Sequence, residues 1–505
     1  MLIALRDRIL RWILLLALLG VLAVLLAQPI NLTAVDIGRH IKNGELLLQG
    51  QTDLFYKNYY SFTHPDYSFI NHHWFFGIIV FVLWQFVGFN GLSLAYLGVL
   101  LAAFILFWQS ARRYASFPVV LFLSALTVAV ITDRREIRPE GFSSLALGIY
   151  FYLLCRFKGG AISPKLLWLS LLFSQLIWVN THIFFFMGPV LVGLFLWDAC
   201  LSKAPQAQQK TLRQLLLGVL LINVINPSGL GGMLTPLNIF KEFGYRLAEN
   251  QHIFFMMGRF TGEVSYKWYL VLAAIALGGG VLAVRRDGLK AHLPFLVLAF
   301  FVAAAGFKAV RLMPFFALFF IPLSARFYAP YVQGPLVKGI LIAAAIIIVG
   351  VQYKGIVRGS GIGLMPGINK SAEFYQAVGL KGPIFSNYDI GGYLIYHLAP
   401  QVKVFVDNRQ EAFPPDFFKQ VYVPMQENAG VWQEQLAKHD FQVVYFYRHD
   451  LTPWGQQFMV ERVSDPAWAP VFVDNYVIIF ARRGGPNQAV IDRYELPKSM
   501  FSVAK

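Results

Sequence analysis

Apolar runs long enough, or nearly long enough, to cross a bilayer dominate the chain, and their spacing limits the fold before any motif is considered. The first, 11–27, is mostly Leu, Val and Ala behind Arg6, Arg8 and Arg11. A basic start before an apolar run also fits a secretory signal, but the run is long and no small-x-small cleavage site precedes Gln28 and Pro29. It reads as a retained first helix with its N-terminus in the cytoplasm. Further runs lie at 74–88, 91–109, 117–132, 142–157, 166–179, 182–200, 212–225, 268–284, 292–306, 312–328 and 338–352. Several are shorter than the ~20 residues of a simple span, which predicts short paired helices that meet polar loops within the membrane. Hydrophobic residues make up 57% of the 505 and charged residues 14%. Soluble domains carry about 25% charged residues, so a water-soluble globule is excluded, and the lack of low-complexity tracts excludes disorder and fibrous repeats.

Loop charge sets the orientation. If 74–88 and 91–109 cross only once between them, the basic hops at Arg112-Arg113, 156–165, 203–213 and 285–290 all face the cytoplasm. The run 74–88 is therefore an expected interfacial or re-entrant helix, and about eleven transmembrane helices remain. The acid-containing loops 29–73, 133–141 and 226–267 then face outward, and the odd number of crossings exports the C-terminus. The net charge of +16 is spread over these hops, so lipid headgroups and phosphates are the expected partners and nucleic acid is not. Cys155 and Cys200 both fall in apolar runs, which predicts two buried small hydrophobes and no disulfide framework.

From about Lys354 a soluble pattern begins. It predicts helices at 371–378, 391–398 and 454–463, strands at 383–386, 402–406 and 441–447, and a hairpin at 470–481 through Asp474-Asn475. The expected division is a transmembrane domain, 1–353, with a catalytic first external loop, 29–73, and an extracytoplasmic α/β domain, 354–505. Asp389, Asp407, Arg409 and His397 follow strand ends there. Surface salt bridges and turn chemistry account for them, with acceptor recognition as the functional alternative.

Within 29–73, Thr33 is a candidate helix cap. Ile37, Ile41 and Leu48 line one side of the helix that follows, with Asp36, Arg39, His40 and Asn43 on the other. This is the pattern of an amphipathic helix on the membrane surface, aiming Asp36 and His40 at one place. His40, His64, His72 and His73 lie in the same loop, four of the ten histidines. An interfacial aromatic belt, a catalytic base with acceptor-orienting residues, and a bound divalent cation all fit this concentration. In the next external loop Arg138 precedes Pro139; it is suited either to clamp a lipid phosphate or to pair with Glu136 or Glu140. Asn180 with His182, Asn226-Pro227, and Lys308 with Arg311 add polar groups to the same expected face, the two cations being a second choice for a phosphate clamp.

Asp36 with His40 and Gly44, Tyr60-Ser61-Phe62-Thr63, Asn71-His72 with Trp74, Arg138-Pro139-Glu140, Trp178-Val179-Asn180-Thr181-His182, Asn226-Pro227, and Arg311 with Pro314 occur in an order that resembles a known family. It is that of the fold-type C (GT-C) polyprenyl-phosphate-sugar-dependent membrane glycosyltransferases, and within them the bacterial RgtA/B/C/D-like group. Asn387-Tyr388-Asp389-Ile390-Gly391-Gly392 and Val404-Phe405-Val406-Asp407-Asn408-Arg409 resemble that group's exported domain. The resemblance implies a multi-pass protein of the bacterial cytoplasmic membrane that transfers a sugar from a polyprenyl-phosphate-linked donor to an acceptor glycan, lipid or protein on the outer face. The family's catalytic Asp maps onto Asp36, as general base of an inverting transfer. His40, His72 and His73 would orient the sugar or hold a divalent cation, and Arg138, with Lys308 or Arg311, would neutralise the leaving phosphate. The second acidic motif of many relatives has its nearest equivalent in Asp133 or Glu136. Two alternatives remain open: a catalytically silent scaffold of an envelope assembly system and a transporter of lipid-linked glycans.

Overall fold

The computed structural model describes residues 2–238, 241–357 and 359–501. By its contacts the chain forms two compact units: Met1–Gln28, Ser93–Pro236 and Arg246–Ile362 make one, and Pro29–Leu92, Leu237–Tyr245 and Gly363–Lys505 the other. The segment 29–73, assigned from sequence to the membrane domain, thus groups with the residues after 363.

The first unit is helical. Helices occupy every apolar run assigned to it from sequence, including Phe117–Ile131, Glu140–Lys158, Pro164–Thr181, Met187–Leu201, Gln206–Ile222, Val264–Asp287, Leu293–Lys308, Met313–Tyr328 and Pro335–Ile356. Proline in the first turn starts five of them, where its missing N–H costs nothing. Among the described residues, six helical runs are long and apolar enough to cross a membrane: Leu5–Leu26, Trp74–Ala111, Ile183–Leu201, Val264–Asp287, Val310–Tyr331 and Pro335–Ile356. Phe117–Ile131 and Leu293–Lys308 are apolar but shorter. Met313–Tyr328 is buried along most of its length and packs on Phe117–Ile131, Val264–Asp287 and Leu293–Lys308. Buried amides tie helices together: Gln352 Nε2 donates to the Ala125 carbonyl at 3.0 Å, and Gln175 Nε2 donates to Phe185 O at 2.9 Å and Asn223 Oδ1 at 2.7 Å. Cys155 is buried as expected, but Cys200 is exposed; it stands one residue before the end of its helix, where its Sγ reaches Gln209 Oε1 at 3.5 Å.

The run Trp74–Ala111 is broken at Gly88, whose φ of 62° and ψ of −168° are not helical. Glycine tolerates this backbone because it has no Cβ.

The second unit carries a four-stranded sheet, β1 (Ile384–Ser386), β2 (Val443–Tyr447), β3 (Trp468–Val473) and β4 (Val477–Arg482), in the order β1-β2-β4-β3. β1 runs parallel to β2; the other pairs are antiparallel. Asp474 Oδ1 accepts from the amides of Tyr476 and Val477, each at 2.8 Å, and closes the expected hairpin. Pro470, which cannot donate to a ladder, lies on the edge strand beside a bulge. The core is aromatic: Phe385 packs on Phe405, Trp432, Phe441, Phe446 and Phe458. Residues 402–406 do not join the sheet as expected. Val404 pairs with the earlier segment instead, donating to Tyr60 O at 2.9 Å and accepting from the Phe62 amide at 3.1 Å.

Candidate active site

In the second unit the helix Ile37–Leu48 begins directly after Asp36. Thr33 does not cap it; its hydroxyl donates to Asn31 Oδ1 at 2.5 Å in the preceding turn. The helix is not laid on a surface with one polar face outward. Ile37 and Ile41 are buried, and so are Arg39, His40 and Asn43. Glycines allow this packing: a Cβ on Gly44 would lie 2.2 Å from the Gly77 carbonyl oxygen, and one on Gly38 3.2 Å from that of Gly392.

The Asp36 carboxylate accepts a hydrogen bond from Asn408 Nδ2. Asn408 Oδ1 in turn accepts from Arg39 Nε at 3.0 Å, and Arg39 Nη2 lies 3.9 Å from Asp36 Oδ2. The three side chains close a ring in which the amide fixes one carboxylate oxygen and the guanidinium flanks the other. Asn408 reaches Asp36 because the chain before it is pinned at Val404, and because Gly391 lets Asp407 approach: a Cβ there would lie 2.4 Å from Asp407 Cα. The neighbouring pair is not the surface salt bridge expected from sequence. Arg409 is 3% exposed and Asp407 0%. Arg409 donates to Asp407 at 2.8 and 2.6 Å and to Asn58 Oδ1 at 2.8 Å, with its guanidinium over the rings of Tyr60 and Phe69. Burial, opposed by Arg409 and Arg39, holds the Tyr60 phenol well above its ordinary range, so it stays neutral and donates to Asn43 Oδ1 at 2.6 Å. Asp389 and His397 do not enter this arrangement through any of these bonds; the His397 ring packs on Tyr393 and Tyr396.

The expected histidines gather beside the same helix. The His40 ring meets His73 and Phe76 edge-on, with centroids 5.6 and 4.9 Å away, and His72 and His73 are 4.2 Å apart. His72 Nδ1 pairs with the Ile70 carbonyl at 3.1 Å, while burial pushes its pKa down to about 4. His64 packs its ring on Phe413 and Phe417. Among the described residues no group of three or more His, Cys, Asp or Glu could hold a metal ion. Beside Asp36 the positive charge comes from Arg39.

In the first unit Arg138 pairs with Glu136, one of the two acids expected from sequence, and also with Glu249, which was not expected. Its Nε lies 2.8 Å from Glu136 Oε2, and its Nη1 donates to Glu249 at 2.9 and 3.2 Å. Arg134 Nη2 donates to Glu249 at 2.7 Å, and Arg311 Nη1 lies 3.6 Å from it. Glu140 stands 3.9 Å from Arg134. Burial alone would raise the Glu249 pKa, but Arg134, Arg138 and Arg311 outweigh it and hold the carboxyl far below its usual range. Glu140 is likewise shifted down, by His182, Arg134 and Arg138 against burial. Arg134, Glu136, Arg138, Glu140 and Arg311 border a cavity of about 40 Å³ whose remaining wall is largely apolar, with Tyr96, Leu100, Ala103, Phe315 and Leu318.

Of the other expected residues, His182 Nδ1 shares a hydrogen bond of 2.7 Å with Ser143 Oγ, which also accepts from Trp178 Nε1. Asn180 Nδ2 donates to the Leu176 and Ile225 carbonyls and ties two helix ends together. Lys308 is exposed at the end of its helix and does not line the cavity; Arg311 does. Glu249 and Asn408 were not foreseen. Glu249 stands in an acid-containing loop, expected from sequence to face outward, with no motif around it, and the only hint at Asn408 was its place between Asp407 and Arg409.

No family model and no curated protein matches the sequence. Solved structures do match the fold. The archaeal oligosaccharyltransferase AglB from Archaeoglobus fulgidus, in complex with an inhibitory peptide and a dolichol-phosphate, superposes with a TM-score of 0.61 at 10% identity over 95% of this chain and 75% of its own. ArnT from Cupriavidus metallidurans, bound to undecaprenyl phosphate, gives 0.53 at 10% identity over 94% and 98%. The chain has the fold-type C architecture. A second structure of the Archaeoglobus oligosaccharyltransferase, a complex with Zn and sulfate, gives 0.55 at 12% identity over 93% and 73%. The fold-type C architecture expected from the order of the motifs is thus present along nearly the whole chain, as a polytopic helical membrane protein with a C-terminal sheet.

Proposed function

We propose that this chain is a membrane glycosyltransferase that moves a sugar from a polyprenyl-phosphate-linked donor to an acceptor glycan, lipid or protein on the outer face of the bacterial cytoplasmic membrane. The observation that carries the reading is the convergence of Arg134, Arg138 and Arg311 on one anion beside an apolar-walled cavity. An arginine cluster of this kind suits a lipid phosphate, binding its oxygens and neutralising the charge that grows on it as the sugar departs. The fold it shares with AglB and ArnT supports the same donor class, since those structures hold dolichol-phosphate and undecaprenyl phosphate.

Asp36 acts as general base. It takes the acceptor hydroxyl proton while the oxygen attacks the anomeric carbon opposite the phosphate, inverting it. Asn408 and Arg39 hold the carboxylate in one orientation, so little reorganisation is left to the reaction. His72, neutral at physiological pH, and His40 with His73 orient sugar hydroxyls. His182 and Asn180 brace the helix ends near the arginines, and Lys308 adds positive charge at the headgroup level. The N-terminus is cytoplasmic and the C-terminal α/β domain extracytoplasmic. The test is Asp36→Asn in the producing cell. Mass spectrometry of envelope glycans should show the sugar modification lost while folded protein remains at wild-type level. Full modification by this variant removes Asp36 from the mechanism and the reading with it.

A further inference from the structure

Three cations on one carboxylate exceed what a structural ion pair requires. Arg138 reaches both Glu249 oxygens, Arg134 reaches one at 2.7 Å, and Arg311 stands at 3.6 Å. Three converging guanidinium groups match the several oxygens of a phosphate better than the two of a carboxylate. The cavity beside them, about 40 Å³, holds a few waters at most and is small beside the roughly 300–1,000 Å³ of ligand pockets. A phosphate that used the same guanidinium N–H groups would have to displace the carboxylate that now holds them.

Charge and backbone both single out Glu249. Arg134, Arg138 and Arg311 are balanced by Glu136, Glu140 and Glu249, so the cluster is neutral as it stands. Withdrawing one carboxylate leaves a single positive charge, which a singly charged phosphodiester restores to neutrality; a dianion or a diphosphate overshoots and leaves buried excess charge, which is costly. Glu140 starts a helix, Arg311 lies in a 3-10 turn, Val310–Leu312, that runs directly into the helix Met313–Tyr328, and Arg134, Glu136 and Arg138 fill the short link between two helices. Glu249 instead lies in a single 3-10 turn, Ala248–Asn250, preceded at 241–247 by chain with no helix or strand.

We propose that Glu249 occupies the phosphate seat of the resting protein as a built-in anion, and that a prenyl-linked phosphodiester binds by exchange with it. This rests on the reading of Arg134, Arg138 and Arg311 as a lipid-phosphate site. It deepens that reading in two ways. The preferred ligand carries one negative charge, as a prenyl-phosphoryl sugar does, and the free prenyl monophosphate left after transfer, close to a dianion at neutral pH, suits the seat less well. Return of Glu249 then assists its departure.

The experiment uses the full chain in lipid nanodiscs, with undecaprenyl phosphate, its methyl diester and undecaprenol as probes. The methyl diester should bind the wild type more tightly than undecaprenyl phosphate, and undecaprenol should not compete. Glu249→Gln, which keeps the shape and removes the charge, should bind both phosphates about tenfold more tightly or better. Arg138→Gln should lose both. A second measurement does not depend on the fold of Glu249→Gln. In a Cys200→Ser background, Ala248→Cys should react faster with a maleimide when the methyl diester is present, and undecaprenol should leave the rate unchanged. If the phosphates bind and Arg138→Gln weakens them, but Glu249→Gln binds no more tightly and Ala248→Cys labelling does not change, the exchange is wrong and the site stands. If neither phosphate binds wild type or Glu249→Gln, the phosphate-site reading itself fails and takes the exchange with it.

Discussion

Two charged clusters, one in each unit, obey opposite rules. Around Arg409 and Asp407 the ions are dry, 3% and 0% exposed, Arg409 Nε and Nη2 donate to Asp407 and Asn58, and aromatic rings cover the guanidinium. Around Glu249 the side chains of Arg134, Arg138 and Arg311 remain 16 to 22% exposed, and a cavity adjoins them. A buried pair is strongly destabilising to break because its surviving member has no water to turn to, whereas a half-wet cluster can trade a partner for solvent or for another anion. The dry cluster fixes the chain that carries Asn408; the wet one is suited to receive a ligand.

Asp407→Asn should have the largest effect, a loss of about 3–5 kcal/mol seen in thermal unfolding of the purified protein, because Arg409 is left buried without its counter-ion. Glu249→Gln should cost much less, about 1 kcal/mol; an equal loss from the two variants would erase the distinction between the clusters. Asn408→Ala removes one donor from the Asp36 carboxylate without touching Arg409. It should slow sugar transfer about 10-fold or more, in line with ~1.5–3 kcal/mol for a hydrogen bond to a charged group, with little change in melting temperature. An inactive protein that also melts early would assign Asn408 to the dry cluster instead. Gly44→Ala brings a Cβ against the Gly77 carbonyl and should cost about 1–3 kcal/mol, measured by the same unfolding. A last effect concerns His72 and depends on pH. Its folded pKa, about 4, lies below the ordinary ~6.5 of the unfolded chain, so the unfolded state binds more protons between those values. Stability should fall as pH drops from about 6.5 to 4 and level off below. His72→Gln should flatten that part of the pH–stability curve.

Much of the fold was legible because membrane helices announce themselves locally. Each apolar run became a helix, and the helix at 391–398 and the Asp474-Asn475 turn follow from nearest-neighbour chemistry. Residues 402–406 misled for the complementary reason: alternating apolar residues predict a strand without naming its partner, and the partner is Tyr60 to Phe62, far back in the chain. The site divides in the same way. Asp36, Arg138 and Arg311 stand out by residue type and position. Glu249 and Asn408 matter only through bonds spanning 111 and 372 residues, and a single sequence holds no local trace of either.

The break at Gly88 bears on sidedness. At 1.5 Å per residue, the stretch from Trp74 to Val87 rises about 21 Å, short of the ~30 Å of hydrocarbon in a bilayer, whereas Phe89 to Ala111 rises about 35 Å. Length therefore permits one complete crossing in this run. Had the helix continued straight through Gly88, it would measure about 57 Å and project well beyond the hydrocarbon. Because each crossing reverses the side on which the next loop emerges, the left-handed backbone of a single glycine helps decide whether every later loop meets the cytoplasm or the exterior.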